Sequence, residues 1–304
     1  MLFRSKNGIP ASTAHSFKEH ALPVSYDEVA SLVGTQQKPF VLIDTSASAE
    51  TYKLIEIALQ AGGFVVSSNK KPFSSEYALF DQLQKYKHHV YFETTVGAGL
   101  PIISTIRDLI ETGDEIVEMS GCFSGTLGFL FTKLGQHMPF SQAVNLAKEQ
   151  GYTEPDPRDD LSGLDVARKA LILSRCIGIP RELSEISLSS LFASSMASGR
   201  VEDFMLKIKT LDEEYAQKMV EAAKRGNTYK YVARITRKTC TVGMQEVAQS
   251  SDIGSLRGPD NIVVIKTKRY FENPLVIKGP GAGLEVTAAG VFGDVLKIIR
   301  GIKN

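Results

Sequence analysis

Residues 39–99 alternate between short apolar runs and segments with helical periodicity. The apolar runs begin near Pro39, Phe64 and His89, and polar residues follow them. The two segments between the runs repeat apolar residues every three or four positions, as an amphipathic helix does. This strand–helix–strand–helix–strand order predicts a parallel, doubly wound sheet with right-handed crossovers. We therefore predict an α/β fold for the first part of the chain.

Polar residues stand where each predicted strand ends. Thr45 follows the first run, Asn69 and Lys70 follow the second, and Glu93 follows the start of the third. Ligands of open parallel sheets bind at the carboxyl ends of the strands. A lysine there has two interpretations, a solvated loop residue or a cation that faces phosphate or a developing oxyanion.

The pattern changes after residue 100. Helices are predicted over 100–113, 140–150 and 164–178, and a strand, a Gly/Ser turn and an apolar helix over 114–134. Further on, apolar and polar residues alternate in segments typical of an antiparallel sheet with one solvated face. These segments are followed by a helix at 286–301. The second part is predicted to be an α+β domain.

Composition excludes several functions. The 304 residues carry 35 basic and 34 acidic side chains, so the formal net charge is +1. This balance provides no electrostatic basis for binding nucleic acid or an acidic membrane. Three widely spaced cysteines fit neither a disulfide framework nor a zinc site and indicate a reducing compartment. No apolar stretch is long enough for a signal peptide or a membrane span, and we expect a cytoplasmic protein.

The segment 161–178 places an acid and a base in a largely apolar helix. Asp165 and Lys169 are four residues apart, so they share a helical face. The ordinary interpretation is a structural ion pair, and the alternative is a functional pair. The nearby acidic stretch 154–160 is equally open between a solvated loop and a clamp for a substrate ammonium, with Glu154 beside Asp165. Two prolines in this stretch disfavour a calcium loop.

Two glycine-rich segments fail the dinucleotide-binding pattern G-x-G-x-x-G. When the pattern is started at Gly97, the third glycine position falls on Ile102. In residues 279–286 it falls on Leu284 or Val286. Glycines here can instead let backbone carbonyls turn inward, towards a hard cation or an approaching cofactor.

Several stretches together resemble homoserine dehydrogenase, specifically the fungal monofunctional type. The resemblance runs in family order from about residue 38 to the end of the chain. The stretch "GYTEPDPRDDLSGLDVARK" carries most of it, and the other matching stretches are "DTSAS", "SSNKKPFSS", "ETTVGAGLPIIS", "GCFSGTL", "LRGPDNIVVIKTKRY" and "GPGAGLEVTAAGVFGDVLKI".

The resemblance implies NAD(P)-dependent interconversion of aspartate 4-semialdehyde and homoserine, a step in threonine and methionine biosynthesis. It implies Lys169 as the proton donor, with Lys70 as a second catalytic lysine, and Glu154 and Asp165 as the carboxylates that bind the substrate amino group. The cofactor positions that it implies are Thr45, Lys70, Gly151 and Gly283. It also implies a monovalent cation, sodium, held by Glu93 and the backbone carbonyls of Val96, Ala98 and Leu100.

The same resemblance sets an expectation for domains and partners. Residues 1–92, completed by the C-terminal helix 284–304, are expected to form a Rossmann-like NAD(P)-binding domain, and residues 93–283 a catalytic and dimerisation domain. A homodimer, a small-molecule substrate and no nucleic-acid or membrane partner are expected.

The family's first strand, glycine loop, helix and second strand are not found in this sequence, which predicts an N-terminally truncated first domain with severely reduced NAD(P) affinity. Three explanations stay open. One is a truncated form of a true enzyme, which we favour, and another is an inactive homologue that acts as a dimerising or regulatory protein. In the third, the first forty residues supply another sheet edge, and they include a predicted helix at 25–33.

Overall fold

The computed structural model describes residues 2–4 and 22–303. Strands β1 (Leu2–Arg4) and β2 (Leu22–Val24) pair antiparallel as a separate two-stranded sheet. Helix α1 (Tyr26–Gly34) follows, and the Ser25 and Glu28 side chains cap its first turn reciprocally. The predicted helix at 25–33 is therefore confirmed. Among the described residues the β1–β2 pair does not extend the parallel sheet.

The predicted parallel sheet is confirmed. It contains β3 (Val41–Asp44), β4 (Phe64–Ser67) and β5 (Val90–Tyr91) in that order. Helix α2 (Thr51–Gln60) connects β3 to β4, and helices α3 (Lys71–Ser74) and α4 (Tyr77–Gln84) connect β4 to β5. The α/β class and the Rossmann-like character of this part agree with the sequence.

Two details of this sheet differ from the prediction. The run at 39–48 predicted a buried strand, but Ile43 is 49% exposed because β3 has only one neighbouring strand in the described sheet. The run at 89–99 predicted a full strand, but β5 has two residues and the chain then turns through a 3₁₀ helix at Glu93–Thr95. The glycine-rich stretch that follows cannot continue an extended strand, because Gly97 and Ala98 have positive φ.

The middle of the chain is mainly helical and frames the site. Helix α5 (Ile102–Glu111) precedes β6 (Ile116–Cys122), and α6 (Gly125–Leu134) and α7 (Phe140–Glu149) follow. The short α8 (Pro157–Leu161) then leads into the buried helix α9 (Leu164–Cys176).

A six-stranded mixed sheet makes the second layer. Its remaining elements are β7 (Ser187–Leu188), α10 (Val201–Lys207), α11 (Asp212–Lys224), β8 (Asn227–Thr236), β9 (Cys240–Ala248), α12 (Asp252–Ser255), β10 (Asp260–Thr267) and β11 (Leu275–Pro280). The strand order is β11-β10-β6-β8-β9-β7, antiparallel except for the β7–β9 pair. The predicted α+β arrangement is confirmed.

One hydrophobic core connects the two sheets. Its fully buried members include Val65 of β4, Ile106 of α5, Met119 of β6 and Leu171 of α9. The last helix, α13 (Leu284–Lys303), packs against β4 and the Glu93–Thr95 turn, where the family resemblance places the end of the first domain. The boundaries 1–92 with 284–304, and 93–283, stay a prediction. No helix among the described residues is long and apolar enough to cross a membrane.

Candidate functional site

Helix α9 carries the acid–base pair and begins at a position that only glycine fits. Gly163 has φ +74°, and a Cβ there would lie 1.8 Å from the Tyr231 hydroxyl oxygen. Tyr231 donates this hydroxyl to the Ser189 carbonyl at 2.8 Å. The close approach fixes the first turn of α9 against β8. Ala167, Ala170 and Leu171 form the fully buried face of α9, so the opposite face, which carries Asp165 and Lys169, is the one that meets solvent.

Three charges meet at that face. The Lys169 Nζ lies 2.8 Å from Asp165 Oδ2, and the Lys70 Nζ lies 3.4 Å from Asp165 Oδ1. Lys70 comes from the turn after β4, so the carboxyl end of the parallel sheet meets α9 here. Asp165 is 47% exposed, Lys70 32% and Lys169 12%, so the carboxylate is the most accessible group of the cluster.

The two ammonium groups control the charge of Asp165. Its partial burial alone would raise the pKa of the carboxyl, but Lys169 and Lys70 outweigh this and lower the pKa of Asp165 to about 2. Asp165 therefore stays ionised far below neutral pH. A single carboxylate between two lysines leaves the cluster with a net positive charge.

Lys169 has a second anchor in the turn between β6 and α6. Its Nζ donates to the Phe123 carbonyl at 2.7 Å. The next residue, Ser124, is the N-cap of α6 and accepts from the Leu127 N–H. The lysine is thus held by α9 on one side and by the β6–α6 turn on the other, which fixes where its third proton can point.

Glu154 is held beside the cluster by Asp160. The Glu154 N–H donates to Asp160 Oδ2 at 2.8 Å, while Asp160 Oδ1 lies 3.0 Å from the Thr126 hydroxyl. Burial raises the pKa of Asp160, the two hydrogen bonds oppose this, and the charges of Glu154 and Asp165 add to the rise. Glu154 itself is exposed, so its carboxylate is available to a ligand.

Two clefts open onto this cluster. The larger, of about 600 Å³, is lined by Glu154, Asp165 and Lys169 together with Gly151 and Gly283. A neighbouring cleft of about 410 Å³ adds Lys70. The structure therefore brings together six of the residues that the sequence singled out. Gly151 and Gly283 have φ of +70° and +125°, which favour glycine.

Thr45 is placed differently. It is exposed at the carboxyl end of β3 and lines neither cleft. Next to it, the buried Asn69 donates its side-chain amide to Asp44 Oδ2 at 3.0 Å and to the Ser48 carbonyl at 2.7 Å. This network ties the ends of β3 and β4 together and orders the turn that carries Lys70.

The predicted cation ligands surround a separate turn. Glu93 is buried, and its two carboxylate oxygens accept from the Ile103 and Ser104 N–H groups at 2.6 and 2.9 Å. The Val96 and Ala98 carbonyls accept no hydrogen bond from the residues that the structure describes, whereas the Leu100 carbonyl accepts from Ile102 N–H at 2.8 Å.

Oxygen donors of this kind suit a hard monovalent cation. Within the described part of the chain, no group of three or more His, Cys, Asp or Glu side chains could hold a metal ion. Any cation at this turn would therefore rest mainly on backbone oxygens.

The sequence reasoning missed several residues of the site. Ser124, Thr126 and Asp160 line the larger cleft, and Asp160 positions Glu154. The Ser-Gly-Thr sequence after a strand is a signal for a helix N-cap and could have indicated Ser124. No local pattern indicates that Asp160, six residues from Glu154, would bind its backbone.

The comparisons with known proteins agree with this geometry. The homoserine dehydrogenase family model matches residues 101–296. A homoserine dehydrogenase of Saccharomyces cerevisiae is 41% identical over 285 residues, covering 90% of this chain and 79% of the yeast protein. A bifunctional aspartokinase/homoserine dehydrogenase 2 of Zea mays is 42% identical over 265 residues, which are 85% of this chain but 29% of the maize protein.

Solved structures give the same fold. A Candida auris protein described as of unknown function superposes with a TM-score of 0.88 at 34% identity, covering 94% of this chain and 84% of that one. A hyperthermophilic archaeal homoserine dehydrogenase in complex with NADPH has a TM-score of 0.71 at 25% identity, covering 94% and 81%.

The family-model match and the yeast relative place this chain in a class, the NAD(P)-dependent oxidoreductases. The parallel sheet, whose carboxyl end meets the lysine–carboxylate cleft, fits that class. Within that class the family is clear. The chain belongs to the homoserine dehydrogenase family, as the stretches around Glu154, Asp165 and Lys169 predicted.

Proposed function

We propose that this chain catalyses the NAD(P)H-dependent reduction of L-aspartate 4-semialdehyde to L-homoserine. The observation that carries the proposal is the meeting of Lys169, Lys70 and Asp165 at one cleft, with Glu154 at its rim. A family member with this cluster has both a cation for the reacting oxygen and carboxylates for an amino group.

The carboxylates bind the amino-acid end of the substrate. Asp165 is ionised at neutral pH and half-exposed, and Glu154 faces the same cleft. Two carboxylates around an ammonium fix its position and thereby the direction in which the aldehyde points. Because Asp160 holds the Glu154 backbone, the point from which the rim carboxylate extends is fixed.

The lysines act on the aldehyde. Bound NADPH or NADH would supply the hydride. Negative charge then develops on the aldehyde oxygen, and the Lys169 ammonium donates a proton to that oxygen. Lys70 shares Asp165 with Lys169, so its charge lies on the same side of the cleft and adds to the stabilisation of the oxyanion.

The cofactor is proposed to lie along the carboxyl end of the parallel sheet. Lys70, Gly151 and Gly283 line the clefts there, and Thr45 extends this edge beyond them. The absence of side chains at Gly151 and Gly283 leaves backbone for close approach. The NADPH complex of the archaeal enzyme supports this class of cofactor.

A sodium ion is proposed at the turn of Glu93, where the carbonyls of Val96, Ala98 and Leu100 would complete its ligands. The positive charge of the ion would stabilise the backbone conformation of this turn. The buried position of Val96 and Ala98 supports the assignment, because unpaired carbonyls in such a place are costly.

A homodimer is proposed through the outer face of the six-stranded sheet. Val276 is 42% exposed on β11, where it pairs with Val264 of β10, and Arg234 of β8 lies on the same face. An apolar strip with polar neighbours is typical of a subunit interface. The cytoplasmic location stays a prediction.

The test combines binding with turnover. Purified protein is titrated with NADPH by fluorescence and assayed for aspartate-semialdehyde reduction, beside the variants Lys169→Ala and Lys224→Ala. Lys224 is an exposed lysine of α11 and serves as the matched control. We expect saturable binding, turnover by the wild type and Lys224→Ala, and a loss of about 10²–10⁴-fold in kcat for Lys169→Ala.

Two results contradict the proposal. An active Lys169→Ala variant removes the assigned proton donor. A folded dimer of the wild type that binds no NADPH favours the alternative, an inactive homologue with a dimerising or regulatory role.

A further inference from the structure

Asn261 is a buried amide without partners. It is the second residue of β10 and is fully buried. Neither its Oδ1 nor its Nδ2 makes a hydrogen bond among the described residues. A buried polar group left unpaired costs about 1–3 kcal/mol, so native proteins rarely keep both ends of an amide in that state. The group is therefore expected to find partners either in a buried water or in another state of the protein.

Only one layer of backbone separates this amide from the larger cleft. A Cβ on Gly281 would lie 1.9 Å from Asn261 Cγ and 2.0 Å from its Nδ2. Gly281 itself lines the cleft with Pro280 and Gly283. The side chain of Asn261 thus lies directly behind the irregular segment between β11 and α13.

That segment has unpaired backbone groups of its own. The N–H groups of Gly281, Ala282 and Gly283 make no backbone hydrogen bond among the described residues, whereas the Gly283 carbonyl accepts from Thr287. Ala282, Gly283 and Leu284 are exposed, and Leu284 is 91% exposed. Unpaired donors in the segment therefore lie next to an unpaired carboxamide.

We propose that Asn261 is a positioning residue that captures the backbone of residues 281–283 when this segment closes over the cofactor in the cleft. Its Oδ1 accepts from a backbone N–H of the segment and its Nδ2 donates to a backbone carbonyl. The inference rests on the proposed function, because the cofactor is the group over which the segment closes. Asn261 touches neither cofactor nor substrate.

A buried water that permanently pairs with Asn261 is the competing explanation. The two explanations differ in the unliganded protein. If a water pairs with the amide, replacing Asn261 with the similarly sized leucine removes satisfied hydrogen bonds and lowers the melting temperature. If the amide is unpaired until closure, the same replacement leaves the unliganded melting temperature unchanged or higher.

The experiment is hydrogen exchange with and without saturating NADPH on the wild type, Asn261→Leu and Asn145→Leu, with melting curves of each. Asn145 is an exposed asparagine of α7, outside both clefts, and controls for the replacement itself. In the wild type we expect NADPH to slow exchange at residues 281–283 by about 10-fold or more. In Asn261→Leu we expect slowing of less than about 2-fold and a kcat about 10-fold lower, with folding unchanged.

Each outcome decides between the explanations. Full NADPH-dependent protection in Asn261→Leu, or a lower unliganded melting temperature, overturns the role of Asn261 while the proposed function stands. A wild type without any NADPH-dependent change overturns both. If the leucine variant does not fold, Asn261→Ala replaces it. The NADPH-dependent slowing of exchange at residues 281–283 then decides in the same way whether Asn261 has the proposed role.

Discussion

Replacement of Asp165 by asparagine removes the negative charge between two lysines and changes little else in shape. The carboxyl pKa falls from 3.8 to about 2 in the folded protein, because Lys169 and Lys70 outweigh the effect of burial. A shift of nearly two units corresponds to about 2.5 kcal/mol at full value. Since Asp165 is 47% exposed, solvent screening reduces this to about 1 kcal/mol. We expect Asp165→Asn to be less stable than the wild type by that amount at pH 7.

The sign of the pH dependence follows from the lowered pKa. Asp165 stabilises the folded state fully above its unfolded-state pKa, and this contribution disappears as the pH falls through the folded-state value. With values of 3.8 and about 2, roughly half of it remains at pH 3. Urea unfolding of both proteins at pH 7, 5 and 3 measures the difference. A stability difference of the same size at pH 7 and pH 3, or none at pH 7, would refute the assignment of Asp165 as the ionised centre of the cluster.

Two glycines provide further tests, each with a glycine elsewhere as its control. Gly163→Ala should cost about 2 kcal/mol or more in urea unfolding, because a Cβ there meets the Tyr231 hydroxyl, whereas Gly113→Ala, with φ +80° and open space, should cost only about 1 kcal/mol of backbone strain. Equal costs would show that α9 does not depend on this contact. Gly290→Ala should destabilise by about 1–3 kcal/mol, since its Cβ would lie 2.4 Å from Thr94 Cγ2 and 3.0 Å from the Gly99 Cα, whereas Gly293→Ala in the same helix, with open space, should stabilise by about 0.5–1 kcal/mol. A neutral Gly290→Ala would mean that α13 can move away from the turn.

Local sequence patterns predicted the elements but not the contacts between them. The alternation over residues 39–99 predicted the parallel sheet, and the four-residue spacing of Asp165 and Lys169 predicted their ion pair. Both depend on short-range periodicity, which is visible in one sequence. The exposed face of Ile43 was not predicted, because burial of a strand depends on neighbours that its own residues do not specify.

The parts of the candidate site that could be predicted are those where a charged or polar residue stands at the end of a predicted strand. Lys70 was expected at the carboxyl end of β4, but its contact with Asp165, 95 positions along the chain, needed the packing of α9 against α3. The hydrogen bond from Lys169 to the Phe123 carbonyl could likewise not be predicted. Every residue has a backbone carbonyl, and the sequence does not show which one a side chain contacts. Asp160 is one of four acidic residues in the stretch 154–160, and only the fold distinguishes its burial from that of the other three.

Helix α13 connects the predicted cation turn to the cleft. Asp294 accepts from the Glu93 N–H at 3.1 Å, and the Lys297 ammonium lies 2.9 Å from Asp294 and 3.4 Å from Glu93. The start of the same helix follows Gly283, which lines the larger cleft. Because these ion pairs hold the middle of α13 against a buried turn, and the Val286 carbonyl lies against Gly99, a closing motion at residues 281–283 has to be absorbed ahead of Val286. There Leu284 is almost fully exposed and leaves room for such a change. An anchored helix with an exposed Leu284 at its start lets the segment move over the cleft without moving the sheet that positions Lys70.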